Sequence, residues 1–427
     1  MRILLCCQYY APSVGGVQEV TRQIAERLAA RGHQVTVATA KLPTRNFVKL
    51  NEVSIKEFDV HGNLVGGISG DVEEYREFVL AGKFDVIMIY AAQQWTFDAL
   101  WPILDQIPCP KIFVPCGFSG LYEREYENYF QQLPGVLRKF DHLIFHATQY
   151  RDIDFARKHG IERISVIANA ASEKEFNVAA DPSFRSRHDI PEHSFVFLTV
   201  GSFTGLKGHT ELAKAFYLLP LSNGEHATLI LNGNEVQFLE ASLLGLLGRL
   251  IGLVKNHGST YLMKQILKKL SGASASPRKI AGQVNKSQPN KRVMITNFPR
   301  TELIKAFFAA DLFVFASNIE CSPLVLFEAA AAGIPFLTVD VGNSAEIAQW
   351  TGAGVMCPSA VNGRGYTTVN ELVLAQSMRE LMQQPERLKQ LGAAGRRNWS
   401  ERFTWEEIAA QYERLFSQLV KESSLTK

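Results

Sequence analysis

Short apolar runs alternate with amphipathic stretches along most of this chain. Up to residue 180 the runs are "RILLCC", "QVTVAT", "FDVIMIY", "KIFVPC", "HLIFHA" and "RISVIAN", with "GVQEVTRQIAERLAARGH" and "WTFDALWPILDQI" as helical segments between them. Strand-length apolar runs bounded by Gly, Pro, His or Asp and separated by helices predict βαβ units in a mostly parallel sheet. The alternation then restarts with "FVFLTVG", "ATLILNG", "RVMITNF", "DLFVFAS", "IPFLTVD" and "GAGVMC". This predicts an α/β chain of two doubly wound, Rossmann-like domains, residues 1–180 and 181–400, joined by "NVAADPSFRSRHDIPEHS" as a linker. Open parallel sheets bind ligands beyond the carboxyl ends of their strands, so the cleft between the domains is the expected functional site. At the end of the chain, "ERFTWEEIAAQYERLFSQLVKE" sets Trp405, Ile408, Tyr412 and Phe416 on one stripe, which predicts a helix packed on the body of the protein.

One segment departs from this rhythm. Residues 238–292 hold ten Lys or Arg against the single acid Glu240. Leu239, Leu243, Leu246, Leu250 and Leu253 form a helical stripe, and Leu262, Ile266 and Leu270 lie opposite Lys264, Lys268 and Lys269. A basic amphipathic pair of this kind is suited to an anionic membrane surface. A helical hairpin packed on its own domain, followed by "SGASASPRKIAGQVNKSQPNK" as a disordered linker, accounts for the same pattern.

Composition narrows the class. The chain has 427 residues, 46% of them apolar, with a net charge of +3, which gives no reason to expect nucleic acid as a partner. Six cysteines without a C-x-x-C pair suggest neither a disulfide framework nor a zinc site and favour a reducing compartment. The N-terminus reads as a strand rather than a signal peptide, and "SLLGLLGRLIGLV" is too short to span a bilayer.

Candidate chemistry collects at the strand ends. Gly15 and Gly16 follow the first strand, where bare backbone N–H groups can approach a ligand or simply make a tight turn; their spacing is not that of a dinucleotide fingerprint. In "VGSFTGLKGHTELAKAF", Lys207 sits at a loop-to-helix junction as a phosphate-binding lysine would, although a solvated lysine fits as well. "NIECSPLVLFEAAAAGIP" places Glu320 on a strand-to-helix loop and Glu328 in the second turn of an apolar helix that stops at Gly333. A carboxylate on so apolar a helix needs partners, which the diol of a sugar or ribose would supply. Asn343, Ser344 and Glu346 in "DVGNSAEI" read as helix capping. Asp152 and Asp154 fall in a predicted helix rather than at a strand end, so no metal site is expected. His142 and His146 belong to a strand and read as core or turn residues.

Taken together, "YYAPSVGGVQE", "VGSFTGLKGH", "IECSPLVLFEAAAAGIPFLTVDVGNSAEI" and "FTWEEIAAQYERLF" resemble the retaining glycosyltransferases of family four, which have the GT-B fold. The likeness covers nearly the whole chain, and its most specific element is the E-x7-E motif in its apolar context. It implies that Glu320 touches the donor sugar and Glu328 the ribose, while the backbone of Cys321, Ser322, Pro323 and Leu324 meets sugar and diphosphate. By the same likeness Lys207 neutralises the departing diphosphate, Gly15 and Gly16 line the reaction centre, and Asn169 lies near the domain hinge. Residues 401–427, with Trp405, form a helix crossing back to the first domain. Two positions depart from the pattern: Ser202 stands where many members have arginine, and Cys116, at a sugar-contact position, where many have histidine.

The resemblance thus implies a metal-independent, retaining transferase of the hexosyltransferase type. It needs no cofactor, takes a nucleotide-diphosphate sugar as donor, and serves a glycan or lipid-linked saccharide acceptor in surface polysaccharide biosynthesis. The expected location is cytoplasmic, at the inner face of the membrane if residues 238–292 bind lipid. A noncatalytic nucleotide-sugar-binding scaffold is the rival that Ser202 and Cys116 motivate.

Overall fold

The computed structural model describes residues 1–234 and 276–425. The first domain contributes β1 Arg2–Cys6, β2 Gln34–Ala40, β3 Lys49–Leu50, β4 Val53–Phe58, β5 Val60–Asn63, β6 Gly67–Gly70, β7 Val86–Tyr90, β8 Lys111–Val114, β9 His142–Phe145 and β10 Ile164–Val166. Eight of these form one sheet in the order β10-β9-β8-β7-β1-β2-β4-β3; it is parallel except for β3 against β4, and β5 with β6 makes a separate hairpin. The second domain has β11 Ser194–Val200, β12 His226–Asn232, β13 Lys291–Thr296, β14 Leu312–Phe315, β15 Phe336–Thr338 and β16 Gly354–Met356. They form a parallel sheet in the order β13-β12-β11-β14-β15-β16. Each sheet reverses its strand order beside its first strand, between β1 and β7 and between β11 and β14. A crevice opens at such a reversal.

Both faces of the first sheet are covered, which is why β7 is buried at every position. Phe58, Tyr75, Trp95, Phe97 and Phe113 pack on one face. On the other lie Val20, Ile24 and Leu28 of the helix Gly16–Ala30, and the helix Trp405–Leu425 adds Trp405, Ile408, Tyr412 and Phe416 to the same cluster. Ion pairs seal that seam: Arg31 reaches Glu413 and Glu406 at 2.6 Å each, and His33 Nε2 lies 2.7 Å from Glu413. At the crossing, the Ala171 N–H donates to the Phe403 carbonyl at 3.1 Å, and Trp399 Nε1 donates to the Ala171 carbonyl at 3.2 Å.

Several local expectations give way to the structure. "WTFDALWPILDQI" is not one helix but a turn of helix, Trp95–Asp98, and a 3-10 segment, Trp101–Gln106, because Pro102 has no N–H to continue the ladder. The linker after Asn177 is packed chain: it contains the helix Phe184–Arg187, and Phe184 and Ile190 enter the second core. The expected disordered linker after residue 275 is instead the helix Pro277–Ser287. Ser276 caps it by accepting from the Lys279 N–H, Ala281 and Val284 are buried, and the Asn285 amide exchanges hydrogen bonds with Val293 backbone at 2.8 and 3.0 Å. The two apolar stripes from Leu239 to Leu270 lie outside the described residues. Among those described, no helix is long and apolar enough to cross a membrane, and none of the six cysteines is in a disulfide.

The seam made by the last helix predicts a measurable contribution. Trp405→Ala removes an indole that is 2% exposed and should cost about 3–5 kcal/mol. This is read as a lower urea midpoint for loss of the first domain's signal, and an unchanged midpoint would refute it.

Candidate active site

The two crevices face each other across a cavity of about 340 Å³. Its walls come from strand ends of both domains: Gly16, Val17 and Val20 after β1, Tyr90 closing β7, Cys116, Gly117 and Ser119 after β8, and His146 and Tyr150 after β9. From the second domain come Lys207 after β11 and Ile319, Glu320, Cys321, Ser322 and Leu324 after β14.

Helix Leu324–Ala332 starts at Pro323, whose fixed φ suits a first turn, and ends where Gly333 turns left-handed at φ 73°. Just before it, Glu320 accepts from Lys207 Nζ at 2.6 Å and from Ser317 Oγ at 2.8 Å. The lysine loop is stitched to the same place, since the Leu206 carbonyl accepts from the Asn318 N–H at 2.9 Å. Gly208 makes this approach possible: at φ 71° an added Cβ would sit 2.0 Å from the Ala316 carbonyl oxygen. A cation, a carboxylate and the amino end of a helix therefore converge on one wall, an arrangement suited to a sugar joined to a diphosphate.

The opposite wall is built from strained backbone. Ala91, Gln93, Cys116 and Phe118 have φ of 69°, 62°, 59° and 46°, all left-handed and all at the ends of β7 and β8. Non-glycine residues held there cost free energy and gather at ligand sites. Asp152, buried, fastens this loop by accepting from the Gly117 N–H at 2.7 Å, and Gln93 Oε1 accepts from Gly120 at 3.1 Å. Burial raises the Asp152 carboxyl to about 6. Gly117 lets the domains touch, since its Cβ would lie 2.9 Å from Cys321 Cβ. Here the Cys116 and Cys321 thiols meet, and that contact together with burial raises the Cys321 thiol well above its ordinary range, so it stays protonated.

Other bonds also cross the cleft. Tyr150 donates its hydroxyl to the Glu320 carbonyl, and Asn169 Nδ2 donates to the Ser322 carbonyl at 3.0 Å. Asn343 Nδ2 donates to the His146 carbonyl at 2.7 Å. The Glu346 carboxylate accepts from the Thr148 and Gln149 N–H groups at 3.0 and 3.1 Å. This corrects the capping reading of "DVGNSAEI": Asn343 makes no side-chain cap bond, and both it and Glu346 tie the second domain to the first. Only Ser344 acts locally, accepting from the Val341 N–H at 3.1 Å.

The predicted site residues divide. Gly16, Cys116, Lys207, Glu320, Cys321, Ser322 and Leu324 line the cavity, whereas Gly15, Ser202, Pro323 and Glu328 do not. Gly15 is extended at φ 175° and caps the helix Gly16–Ala30. Glu328 is buried as expected, but its partner within the chain is the Arg300 guanidinium, with Nη2 2.6 Å from Oε1. Tyr90 and Tyr150 went unread in the sequence; a tyrosine closing an otherwise aliphatic strand, as in "VIMIY", is the signal that Tyr90 left. His146 is buried, as its strand placement implied, yet it also borders the cavity. Its Nδ1 donates to the Ile167 carbonyl at 2.8 Å, which leaves Nε2 to accept from the Tyr90 hydroxyl. Asp154 is exposed and does not line the cavity.

Two parallel Rossmann-like domains enclosing a cleft at their carboxyl edges, with a lysine and a helix start on the second domain's wall, define a GT-B glycosyltransferase. The chain belongs to the glycosyl transferases group 1 family, which matches residues 181–398, and residues 14–174 match glycosyltransferase family 4. It is 29% identical over 432 aligned positions to the N-acetyl-alpha-D-glucosaminyl L-malate synthase of Bacillus anthracis, covering 96% of each chain. With the glycogen synthase of Mycobacterium tuberculosis it shares 30% identity over 116 residues, 27% of this chain and 26% of that protein, so the match spans about a quarter of that relative. Among solved structures, sucrose-phosphate synthase from Thermosynechococcus elongatus superposes with a TM-score of 0.72 at 20% identity, covering 99% of both chains. HepE of Anabaena in complex with UDP gives 0.70 at 15% identity, covering 98% of this chain and 100% of that one. These likenesses carry the fold.

Burial lowers His146 to about 4. With the folded value below the ordinary 6.5, the unfolded chain binds more protons between the two. Stability present above pH 6.5 is therefore lost as pH falls toward 4. His146→Gln should flatten that slope, so that wild type loses up to about 3 kcal/mol more than the variant between pH 7 and 4.5. The opposite contribution of Asp152 is common to both proteins and cancels. Parallel urea titrations with equal slopes would refute the assignment.

Proposed function

We propose that this chain is a retaining, metal-independent glycosyltransferase that moves a sugar from a nucleotide-diphosphate sugar to a glycan or lipid-linked saccharide. The process would be surface polysaccharide or lipopolysaccharide biosynthesis, at the cytoplasmic face of the membrane, with the two basic, apolar-striped stretches between Leu239 and Leu270 as the membrane-facing part of residues 238–292; Pro277–Ser287 and Lys291 onward pack on the second domain instead. The observation that carries this reading is the Lys207–Glu320 contact at 2.6 Å on the wall of the interdomain cavity. When the anomeric bond of the donor breaks, negative charge builds on the diphosphate and positive charge on the ring. A preorganised ammonium and the N–H groups opening helix Leu324–Ala332 stabilise the first, and the Glu320 carboxylate stands beside the second. Once the domains close around the donor and expel water, these interactions act at low effective dielectric, so one lysine and a helix start suffice without a cation. Lys207 bears more of this task here because Ser202 carries no charge. The acceptor approaches from the strained wall after β7 and β8, and attacks the face that the diphosphate leaves.

A small hydroxy-acid acceptor is a second reading, motivated by the full-length similarity to the N-acetyl-alpha-D-glucosaminyl L-malate synthase. UDP- and UDP-glucose-bound forms of HepE make uridine donors the first to try.

Transfer assays with UDP-, GDP- and ADP-sugars against lipid-linked saccharides and L-malate test the proposal, with proton NMR of the product reading retention. Lys207→Ala should lower kcat by about 10²–10³-fold. Full activity should survive a chelator. Nucleotide-sugar binding without turnover over any acceptor, or inversion at the anomeric carbon, would overturn the reading.

A further inference from the structure

Glu328 is the lone charged side chain on helix Leu324–Ala332 and is 7% exposed, among Leu326, Phe327 and alanines. An ionised carboxylate in such surroundings needs an adjacent counter-charge. Arg300, which opens the helix Arg300–Ala309, provides it through Nη2 at 2.6 Å from Oε1. The guanidinium is itself fixed: Nε and Nη2 donate to the two oxygens of Glu175 at 3.0 and 2.7 Å. Its carbon lies 5.8 Å from the Phe176 ring centroid. A two-point fork of this kind sets the plane of the guanidinium, which a lysine could not do. Burial works against the charge on Arg300, but the two carboxylates outweigh it and keep the group protonated. Among the described residues, Glu328 Oε2 accepts no hydrogen bond and Arg300 Nη1 donates none.

Glu175 belongs to the short helix Glu173–Phe176 that follows the last strand of the first domain. Its neighbour Glu173 pairs with Arg27 on the helix Gly16–Ala30. The segment joining the domains is thus held by alternate carboxylates, one tied to the first domain and one, through Arg300, to Glu328.

We propose that Arg300 is a positioning residue for donor recognition, turning the Glu328 carboxylate so that Oε2 remains available to the ribose diol. It thereby sets the preference for ribonucleoside over 2′-deoxyribonucleoside diphosphates. The inference rests on the reading of Glu328 as the ribose-binding acid.

Calorimetric titration of UDP, GDP and ADP, each against its 2′-deoxy counterpart, gives the ratio that decides it. For whichever nucleotide binds most tightly, wild type should prefer the ribo form by about tenfold or more, the value of one hydrogen bond to a charged group. Glu328→Gln and Arg300→Gln should each reduce that ratio to within about twofold. If Glu328→Gln reduces it and Arg300→Gln does not, the positioning role fails while the ribose reading stands. If Glu328→Gln leaves it intact, the ribose reading fails and the inference with it. Should Arg300→Gln not fold, as judged by thermal melting, Arg300→Lys serves instead: it keeps the charge but loses the fork, so the ratio should fall several-fold, and an undiminished ratio overturns the role.

Discussion

Everything at the cleft depends on the last helix lying across the first domain. Two parallel sheets with their carboxyl ends toward each other form a site only while they are held one ligand apart. Helix Trp405–Leu425 supplies that constraint by burying Trp405, Ile408, Tyr412 and Phe416 against Ile24 and Leu28. The stabilisation is mostly area removed from water, and the Arg31 and His33 contacts to Glu406 and Glu413 set its register. Because the helix follows directly from Trp399 and Phe403 in the second core, a single stretch of chain serves both domains.

Within that frame, among the described residues, the hydrogen bonds across the cleft outnumber its apolar contacts, which are Leu324 on the first domain's cluster and Cys321 against Gly117. Asn169, Asn343, Glu346 and Tyr150 each bond backbone of the other domain. Polar contacts of this sort exchange readily with water and with ligand groups, since each contributes little net free energy. An interface of this character suits domains that must part and close around a substrate, whereas a continuous apolar seam would hold them shut. The apolar cost of orientation is met once, on the far side of the first sheet.

The two walls differ in how they are made. On the second domain's wall, ordinary secondary structure does the placing: a strand end, Gly208 at φ 71°, and the start of an apolar helix. On the first domain's wall, four left-handed non-glycine residues hold irregular backbone at the ends of β7 and β8, which Asp152 fastens at Gly117. Strain of this kind is sustained only where surrounding packing over-determines the backbone. The second domain's half of the cleft therefore leaves a plain record in the sequence, and the first domain's half does not.

By itself the sequence determined the strands that are buried on both faces, since these read as runs of apolar residues, but not β3 to β6, whose segments carry no such run. It also determined the apolar helix that carries Glu328, the terminal amphipathic stripe and the candidate pair Lys207 and Glu320. The helices follow from periodicity and Lys207 and Glu320 singly from their local context, while joining those two as a pair came from the family resemblance. What only the tertiary structure decided is partnership. That Glu328 meets Arg300, that Asn343 and Glu346 bond the other domain instead of capping their own helix, and that Cys116 meets Cys321 are choices among partners far apart in the chain. Local propensity is indifferent to them: an Asn or Glu at a helix start has the same intrinsic preference whether or not another backbone arrives to take its hydrogen bond. The arrival is set by how two separately folded sheets dock, and that docking is a sum over many small contacts that no short stretch of sequence contains.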